Sequence, residues 1–261
     1  MLVNEHVRFG EGGTGDPAMG DRPLLYREGA HWYVVLTCEV EAQSRLSYTD
    51  QAVGIDLGLL HFATLSSEDT IENPRYFRRS EKKLHVAQQA LARKKRGSTR
   101  RKKAVKRVAN CHRKVRRQRQ DFHHKQARSL VDCYETIVFE DLKPANMRRR
   151  PQPKQDAQGT YVPNGAAAKG GLNKSLADAG WATFIAMVRA KAESAGHTTV
   201  LLVNPRHTSQ ICSGCLKKGP HKDLDERTHT CVYCGLVLDR DHNAALNILR
   251  LGLSHQAAQA S

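Results

Sequence analysis

Four cysteines near the C-terminus constrain this chain more than any other feature. They form two Cys-x-x-Cys pairs, Cys212 with Cys215 and Cys231 with Cys234, separated by fifteen residues. Two such pairs place four thiolates tetrahedrally around one Zn²⁺. The alternatives are four buried thiols or a redox pair, but a redox motif needs only one pair and usually starts a helix. The spacing therefore predicts one structural zinc ion.

Two histidines inside the same segment, His221 and His229, are further candidate ligands. Because four cysteines already fill a structural site, no open position is left for catalysis at this metal. The other cysteines, Cys38, Cys111 and Cys133, are scattered and odd in number. They are expected to be reduced thiols rather than part of a disulfide framework.

The charge of the chain indicates its class of partner. The 261 residues carry a net charge of +16, with an isoelectric point near 9.8, which is typical of proteins that bind nucleic acid. An anionic membrane surface is the competing partner. However, no apolar run approaches the roughly 18 residues of a spanning helix, and the first residues lack the apolar region of a signal peptide. We therefore expect a cytoplasmic protein with one main domain and one or two minor modules.

Basic residues concentrate between Arg75 and Arg128, where 22 Lys or Arg accompany only two acids. Apolar residues at helical spacing predict two long helices over about 78–131, joined at residues 97–99, where Ser98 or Thr99 can cap the second helix. The alternative is a solvated charged face, but such a face normally intersperses Glu with Lys. Because acids are nearly missing here, the Lys and Arg side chains repel one another, and binding to a polyanion would relieve that repulsion. The predicted nucleic-acid-binding residues are Arg93, Lys94, Lys95, Arg96, Arg100, Arg101, Lys102, Lys103, Lys106, Arg107, Arg113, Lys114, Arg116 and Arg117.

Alternating apolar residues predict strands on both sides of this basic segment. Residues 23–41 are predicted to form a half-buried hairpin that turns at residues 28–29, with Trp32, Val34 and Leu36 on one face. The pattern further predicts strands at 53–57, 62–65, 136–139 and 198–203, a mobile loop at 147–172, and helices at about 173–195 and 239–253.

Acidic residues stand at unusual places in these apolar elements. Asp56 lies inside a predicted strand, Glu140 ends another, and Asp239 and Asp241 both stand at the start of the last helix, where the helix dipole favours an acid. Hydrolysis of a phosphodiester requires divalent ions about 3.5 to 4 Å apart, held by hard oxygen ligands. Without a metal, clustered carboxylates would raise one another's pKa values. One of Asp239 and Asp241 is expected to be an N-cap, and these residues alone leave the choice open.

At these residues the chain resembles the TnpB family, the transposon-encoded RNA-guided nucleases related to type V CRISPR effectors. The resemblance runs from about Trp32 to Leu251. Its motifs occur in the family's order: GIDLG at 54–58, VFEDLK at 138–143, NKSLADAGW at 173–181, PRHTSQICSGC at 205–215 and CGLVLDRDHNAALNIL at 234–249.

The resemblance implies an α/β fold with an RNase H-like (RuvC-type) domain, a long basic helical hairpin, an inserted zinc ribbon and a remnant β-barrel (wedge) hairpin at the N-terminus. Residues 51–204 and 236–252 would form the nuclease core, 205–235 the ribbon, 1–50 a partial wedge-type β segment and 253–261 a flexible tail. Family members are typically longer at the front, so this chain is expected to be short of their helical recognition module.

The resemblance also implies that Asp56, Glu140 and Asp241 hold two Mg²⁺ or Mn²⁺ ions. Asp239 would then be an N-cap or a neighbour of the metal site, and Arg240 would contact the scissile phosphate. The implied function is an RNA-guided, metal-dependent DNA endonuclease of a transposable element in the prokaryotic cytoplasm, with a guide RNA and target DNA as partners. Two alternatives are a non-cleaving RNA- or DNA-binding protein or repressor derived from such a nuclease, and a zinc-ribbon scaffold whose acids are incidental.

Overall fold

The computed structural model describes residues 24–28, 31–36, 52–220 and 226–260. Its strands are β1 Leu24–Glu28, β2 His31–Val35, β3 Ala52–Leu57, β4 His61–Leu65, β5 Thr70–Glu72, β6 Thr136–Glu140, β7 Lys154–Gln155, β8 Tyr161–Val162, β9 Thr199–Val203, β10 Thr228–Thr230 and β11 Val237–Asp239. Its helices are α1 Tyr76–Ala92, α2 Thr99–Cys133, α3 Pro144–Met147, α4 Ala166–Ala179, α5 Trp181–Ala195 and α6 Arg240–Ala260. The chain forms two compact units, residues 1–44 with 80–117 and residues 45–79 with 118–261.

The larger unit is built around a five-stranded sheet in the order β5-β4-β3-β6-β9. β3, β6 and β9 are parallel, whereas β4 and β5 extend the sheet antiparallel from β3. The central strands β3 and β6 are nearly continuous runs of buried residues, as expected of parallel strands that are covered by helices on both faces. The predicted mixed α/β class is therefore confirmed.

The two faces of this sheet pack against different helices. On one face, Phe62 and Phe139 pack with Phe184 of α5 and with the C-terminal half of α2. The Phe62 and Phe184 rings meet edge to face, with their centroids 4.9 Å apart. On the other face, α6 lies against β3 and β6, and Val138 and Ile248 are fully buried there. The fold thus places the start of α6 over the strands that carry the predicted acids.

Residues 173–195, predicted as one helix, belong to two helices. Gly180 lies between α4 and α5 with a φ of 67°, and its N–H donates to the Leu176 carbonyl oxygen. Glycine adopts this left-handed conformation at little steric cost, so it ends α4 and lets α5 start in a new direction. The predicted single helix is therefore wrong, because a lone glycine in a helical pattern does not by itself indicate a break.

The predicted loop at 147–172 contains regular structure. β7 and β8 form a short hairpin, and α4 begins at Ala166. Asp156 shapes the hairpin turn, because its Oδ1 accepts hydrogen bonds from the N–H groups of Gln158 and Thr160. The segment is polar and rich in Gly and Pro, so its sequence showed no apolar periodicity that would have predicted these elements. The C-terminal prediction also changes, because α6 continues to Ala260 through residues predicted as a flexible tail.

The described part of the smaller unit contains β1, β2 and portions of α1 and α2. β1 and β2 pair antiparallel, which confirms the predicted hairpin over residues 24–35; residues 37–41 and Cys38 lie outside the described residues. The prediction that one face of this hairpin is half-buried is wrong, because the side chains of Trp32, Val34 and Leu36 on that face are exposed, that of Trp32 by 63%. Alternation indicates a strand but not what covers it. Ser98, one of the two predicted caps, accepts a hydrogen bond from the Arg101 N–H at 3.2 Å.

In the described part of the chain, no helix combines the length and the apolar character that crossing a membrane requires.

Candidate active site and metal centre

The register of the sheet brings Asp56 and Glu140 to the same face. In the parallel pair β3 and β6, Gly54 lies opposite Val138. Asp56 comes two residues after Gly54, and Glu140 comes two residues after Val138. Side chains two residues apart point to the same face of a strand. That face is the one covered by α6. Two of the predicted carboxylates are therefore neighbours beneath the last helix.

The helix α6 supplies the third acid. A Cβ at Gly54 would collide with the backbone of Ala245 and Leu249, so α6 touches β3 at this point. Asp241 lies one turn N-terminal to Ala245 on the same side of the helix. The partial positive charge of the helix N-terminus favours a carboxylate in this first turn.

The three acids influence one another electrostatically. Burial raises the pKa of Asp56 well above its usual value, and the charges of Glu140 and Asp241 raise it further. Burial also raises the pKa of Glu140, although a hydrogen bond from Thr208 acts in the opposite direction. Three carboxylates that repel one another in a partly buried site form a set of hard oxygen donors, and a divalent cation would relieve their repulsion. These residues therefore fit the metal chemistry predicted for them.

The structure distinguishes Asp239 from Asp241. Asp239 Oδ1 accepts hydrogen bonds from the N–H groups of Asp241 and His242, at 2.9 and 3.1 Å. Asp239 is therefore the N-cap of α6, while Asp241 faces the other acids. Arg240 lies beside them: its Nε is 3.7 Å from Asp241 Oδ1, and its charge lowers the pKa of Asp56. Its contact with a phosphate stays a prediction.

The four cysteines meet in one cluster. Their Sγ atoms all lie within 4.8 Å of one another, with 3.6 Å between Cys212 and Cys234 and 3.5 Å between Cys215 and Cys231. Tetrahedral zinc with Zn–S bonds of about 2.3 Å requires sulfur atoms about 3.8 Å apart. The donor set and its spacing therefore fit one zinc ion. His229 is buried outside this cluster, and His221 lies outside the described residues.

The cluster has the backbone turns expected of paired zinc knuckles. The Leu216 N–H donates to the Cys212 carbonyl oxygen, and the Gly235 N–H donates to the Cys231 carbonyl oxygen. Hydrogen bonds from backbone N–H groups, first that of Tyr233, lower the pKa of Cys231, which favours the thiolate that binds metal. β10 pairs with β11, so the hairpin that carries Cys231 and Cys234 continues to Asp239.

The carboxylates are spaced differently from the cysteines. Within the described residues, the cysteine cluster is the group of His, Cys, Asp or Glu whose ligand atoms all lie within 4.8 Å. Asp56, Glu140 and Asp241 are more open than this. Two ions about 3.5 to 4 Å apart would need a wider set of ligands than a single ion does.

Four of the fourteen predicted nucleic-acid-binding residues make contacts within the smaller unit. Arg116 and Arg117 pair with the Glu28 carboxylate, and Arg113 donates to the Glu28 carbonyl oxygen at 3.3 Å. Arg101 donates to two backbone carbonyl oxygens at the C-terminal end of α1. These arginines join elements of the unit, which the charge pattern alone did not indicate.

The other ten predicted basic residues are exposed. Half of them line a groove between α1 and α2 with a volume of about 680 Å³. Small apolar residues, including Ala87 and Ala90, also line it, so cationic side chains border an open channel. Such a channel suits a phosphate backbone, whose counterions these cations would displace. The groove cations are Lys94, Arg100, Lys103, Arg107 and Lys114 from the prediction and Lys83, which the prediction did not include.

Known proteins of one family resemble this chain. A family model described as a probable transposase (OrfB_IS605) matches residues 35–150, and the model of the Cas12f1-like TNB domain matches residues 181–248. A Streptomyces pristinaespiralis protein provisionally named an RNA-guided DNA endonuclease is 34% identical over 87% of this chain and 51% of its own length. TnpB-like protein L79 of Acanthamoeba polyphaga mimivirus is 26% identical over 88% of this chain and 43% of its own length.

The chain belongs to the TnpB family. It spans about half the length of the curated relatives it matches. A CRISPR-Cas12f ternary complex solved by cryo-electron microscopy shares the fold, with a TM-score of 0.52 and 21% identity over 84% of this chain and 42% of that chain.

In this TnpB chain, three buried polar residues beside the acids were not predicted. Thr208 donates a hydrogen bond to Glu140, and Asn243 and Asn247 of α6 bind the segment that follows Thr208. The asparagines are at most 1% exposed and alternate with Ala244, Ala245 and Ile248 of the buried helix face. Amides placed in an otherwise apolar face were the sequence signal that could have found them.

Proposed function

We propose that this chain is an RNA-guided, metal-dependent DNA endonuclease associated with a transposable element. The observation that carries the proposal is the convergence of Asp56, Glu140 and Asp241 at the meeting point of β3, β6 and α6. The name of the Streptomyces relative, an RNA-guided DNA endonuclease, supports the guide and substrate classes. The matched segment covers about half of that relative. The RNA-guided activity of the whole relative is therefore proposed, and not shown, for this chain.

Asp56, Glu140 and Asp241 would hold Mg²⁺ or Mn²⁺. Bound divalent ions supply a water-derived hydroxide nucleophile and stabilise the leaving oxygen of the phosphodiester. The chain's own residues prepare this site in two ways. The sheet and α6 fix the three carboxylates, and Arg240 adds a positive charge beside them that can contact the scissile phosphate.

The proposal includes the domain roles. Residues 51–204 and 236–252 would form an RNase H-like, RuvC-type core with the basic helical hairpin inserted, and the cysteine module would be a structural zinc ribbon. The remnant wedge over residues 1–50 belongs to the same proposal, and of it only residues 24–28 and 31–36 are among the described residues. The order of the sheet and the fold shared with the Cas12f complex support the core assignment.

The proposed partners are a guide RNA and its target DNA. Support comes from the basic groove between α1 and α2, where six cations line one open channel. Binding there would depend steeply on salt, because each phosphate contact releases condensed counterions. The exposed cations of the groove, rather than the arginines that pair with Glu28, would carry most of this affinity.

The proposal is tested by purifying the protein from its host and sequencing the RNA that accompanies it. One defined RNA species, bound one to one, is the expected result. Random RNA that washes off with salt would favour the non-cleaving, general nucleic-acid binder. RNA that carries a fixed segment joined to a variable segment would favour a guide, because only the variable part can specify a target.

A further inference from the structure

The segment from Thr208 to Ser213, here called the strap, runs from the end of β9 towards the cysteine module. At its first residue, Thr208 Oγ1 donates a hydrogen bond of 2.5 Å to Glu140 Oε1. Thr208 is 4% exposed and Glu140 is 9% exposed. Hydrogen bonds from a hydroxyl to a carboxylate are short and strong, and here water cannot readily replace the donor. The hydroxyl therefore selects one orientation of the Glu140 carboxylate.

The strap is itself held by α6. Asn247 Nδ2 donates to the carbonyl oxygens of Thr208 and Ile211, at 3.0 and 2.7 Å. Asn243 Nδ2 donates to Ile211 at 2.8 Å, and Asn243 Oδ1 accepts from the Ser213 N–H at 2.9 Å. Both asparagines are almost completely buried. Four hydrogen bonds from these two buried side chains thus hold the strap to α6.

These contacts connect three parts of the candidate site. The helix that holds the strap also carries Asp241, the strap positions Glu140, and the strap contains Cys212 of the cysteine cluster. The hydrogen bonds join residues 30 to 68 positions apart in the chain. The Glu140 carboxylate cannot turn away from the strap without breaking this buried hydrogen bond, and such a loss is unfavourable.

We propose that Thr208 is a positioning residue for Glu140, and that Asn247 holds Thr208 in place for this role. The inference rests on the proposed function for the identity of Glu140 as a metal ligand. Partners that orient metal ligands typically account for a 10- to 100-fold change in metal affinity when they are removed. If the hydroxyl were purely structural, its removal would lower folding stability and leave metal affinity unchanged. Measuring both quantities therefore distinguishes the two roles.

Mn²⁺ binding to the full chain with its cysteine site loaded with zinc provides the test, with free Mn²⁺ measured by electron paramagnetic resonance. The substitution Thr208→Val removes the hydroxyl with little change in volume and should weaken Mn²⁺ binding at least tenfold. The substitution Thr208→Ser removes the methyl group but keeps the hydroxyl, so its Mn²⁺ affinity should stay within about threefold of wild type. If packing of the methyl group were what mattered, Thr208→Ser would bind Mn²⁺ less well than Thr208→Val.

The matched control is Thr198→Val. The Thr198 hydroxyl donates to the backbone carbonyl oxygens of Val131 and Tyr134, so this variant also loses the hydrogen bonds of a threonine hydroxyl, but away from the carboxylates. It should be destabilised to a similar degree and bind Mn²⁺ like wild type. If Thr208→Val does not fold, Asn247→Ala gives a second test, because it releases the Thr208 carbonyl without touching any carboxylate and should weaken Mn²⁺ binding in the same direction.

The outcomes distinguish the inference from the proposed function. If wild type binds Mn²⁺ and folded Thr208→Val binds it equally well, the positioning role is overturned while the nuclease proposal stands. If wild type binds no Mn²⁺ through its carboxylates, the nuclease proposal fails and the positioning role fails with it. Weaker Mn²⁺ binding in Thr208→Val than in Thr208→Ser and Thr198→Val supports the inference.

Discussion

The amide nitrogen of Leu249 lies 2.5 Å from the point where a Cβ at Gly54 would stand. No side chain fits there, so α6 lies on β3 at a separation that only glycine permits. This contact sets how far the carboxylate of Asp241 lies from that of Asp56. The close packing of one helix against one strand is thus the physical basis of the candidate active site.

Replacing Gly54 with alanine should therefore destabilise the protein. The added methyl group forces α6 away from β3, and overpacking of this kind costs about 1–3 kcal/mol or more. Chemical denaturation followed by circular dichroism measures the change. Gly170→Ala is the control, because Gly170 lies inside α4 with no atom within 4 Å of an added Cβ. It should be stabilised by about 0.5–1 kcal/mol. Equal effects at both sites would contradict the packing argument.

Removal of zinc should unfold residues 205–239 and leave the five-stranded sheet folded. The module has few apolar residues of its own, so metal binding supplies most of its folding free energy. Limited proteolysis with and without a chelator, followed by mass spectrometry, would locate the new cleavage sites. Cys212→Ser should reproduce the chelated pattern, because it removes one of the four ligands. Unchanged resistance of this segment would argue against a structural metal.

Acid should destabilise the larger unit through His123. Its Nε2 donates to the Ala179 carbonyl oxygen at 2.9 Å, and burial lowers its pKa from 6.5 to about 4. Because the unfolded chain binds the proton more readily, the stabilisation is complete above pH 6.5 and is lost as the pH falls towards 4. The loss amounts to roughly 3 kcal/mol.

The substitution His123→Gln tests this assignment, because glutamine can still donate to Ala179 but does not titrate. Thermal unfolding midpoints of both proteins should be compared between pH 4 and pH 7. The wild-type midpoint should fall more steeply with acid than that of the variant. Parallel curves would mean that another group is responsible.

Asp56→Asn should raise the melting temperature in EDTA near neutral pH. The raised pKa of Asp56 means that the fold favours its protonated form, so stability is lost as the pH rises through that pKa. An amide removes this repulsion from Glu140 and Asp241. Differential scanning fluorimetry in EDTA and in Mg²⁺ should show that Mg²⁺ stabilises wild type more than the variant. A lower melting temperature of the variant in EDTA would contradict this electrostatic account.

The parts that sequence predicted well depend on local patterns. The cysteine spacing indicated the cysteine cluster, and the apolar runs around Asp56 and Glu140 indicated the strands that carry these two acids. The resemblance chose Asp241 over Asp239, and the N-cap hydrogen bonds of Asp239 agree with that choice. These features could be predicted because each is encoded within a few neighbouring residues.

The parts that sequence missed depend on contacts between distant residues. The exposure of Trp32 reflects what packs on a hairpin, and alternation carries no information about that. The hydrogen bond from Thr208 to Glu140 joins residues 68 positions apart. The internal contacts of Arg113, Arg116 and Arg117 depend on the position of Glu28, so a count of charges treated these arginines as equivalent to the exposed cations of the groove.

Cleavage by a reprogrammed complex is the most direct test of the central claim. The protein would be combined with its accompanying RNA or with the same RNA carrying a replaced targeting segment. Each complex would then be incubated with DNA that matches either the original or the replaced segment, in Mg²⁺ or in Ca²⁺. The account predicts Mg²⁺-dependent cleavage that follows the replaced RNA sequence, and an Asp56→Ala variant that binds the same RNA but cuts at least a thousandfold more slowly, on the order expected when a metal ligand is lost. Equal cleavage by Asp56→Ala, or cleavage that ignores the RNA sequence, would contradict it.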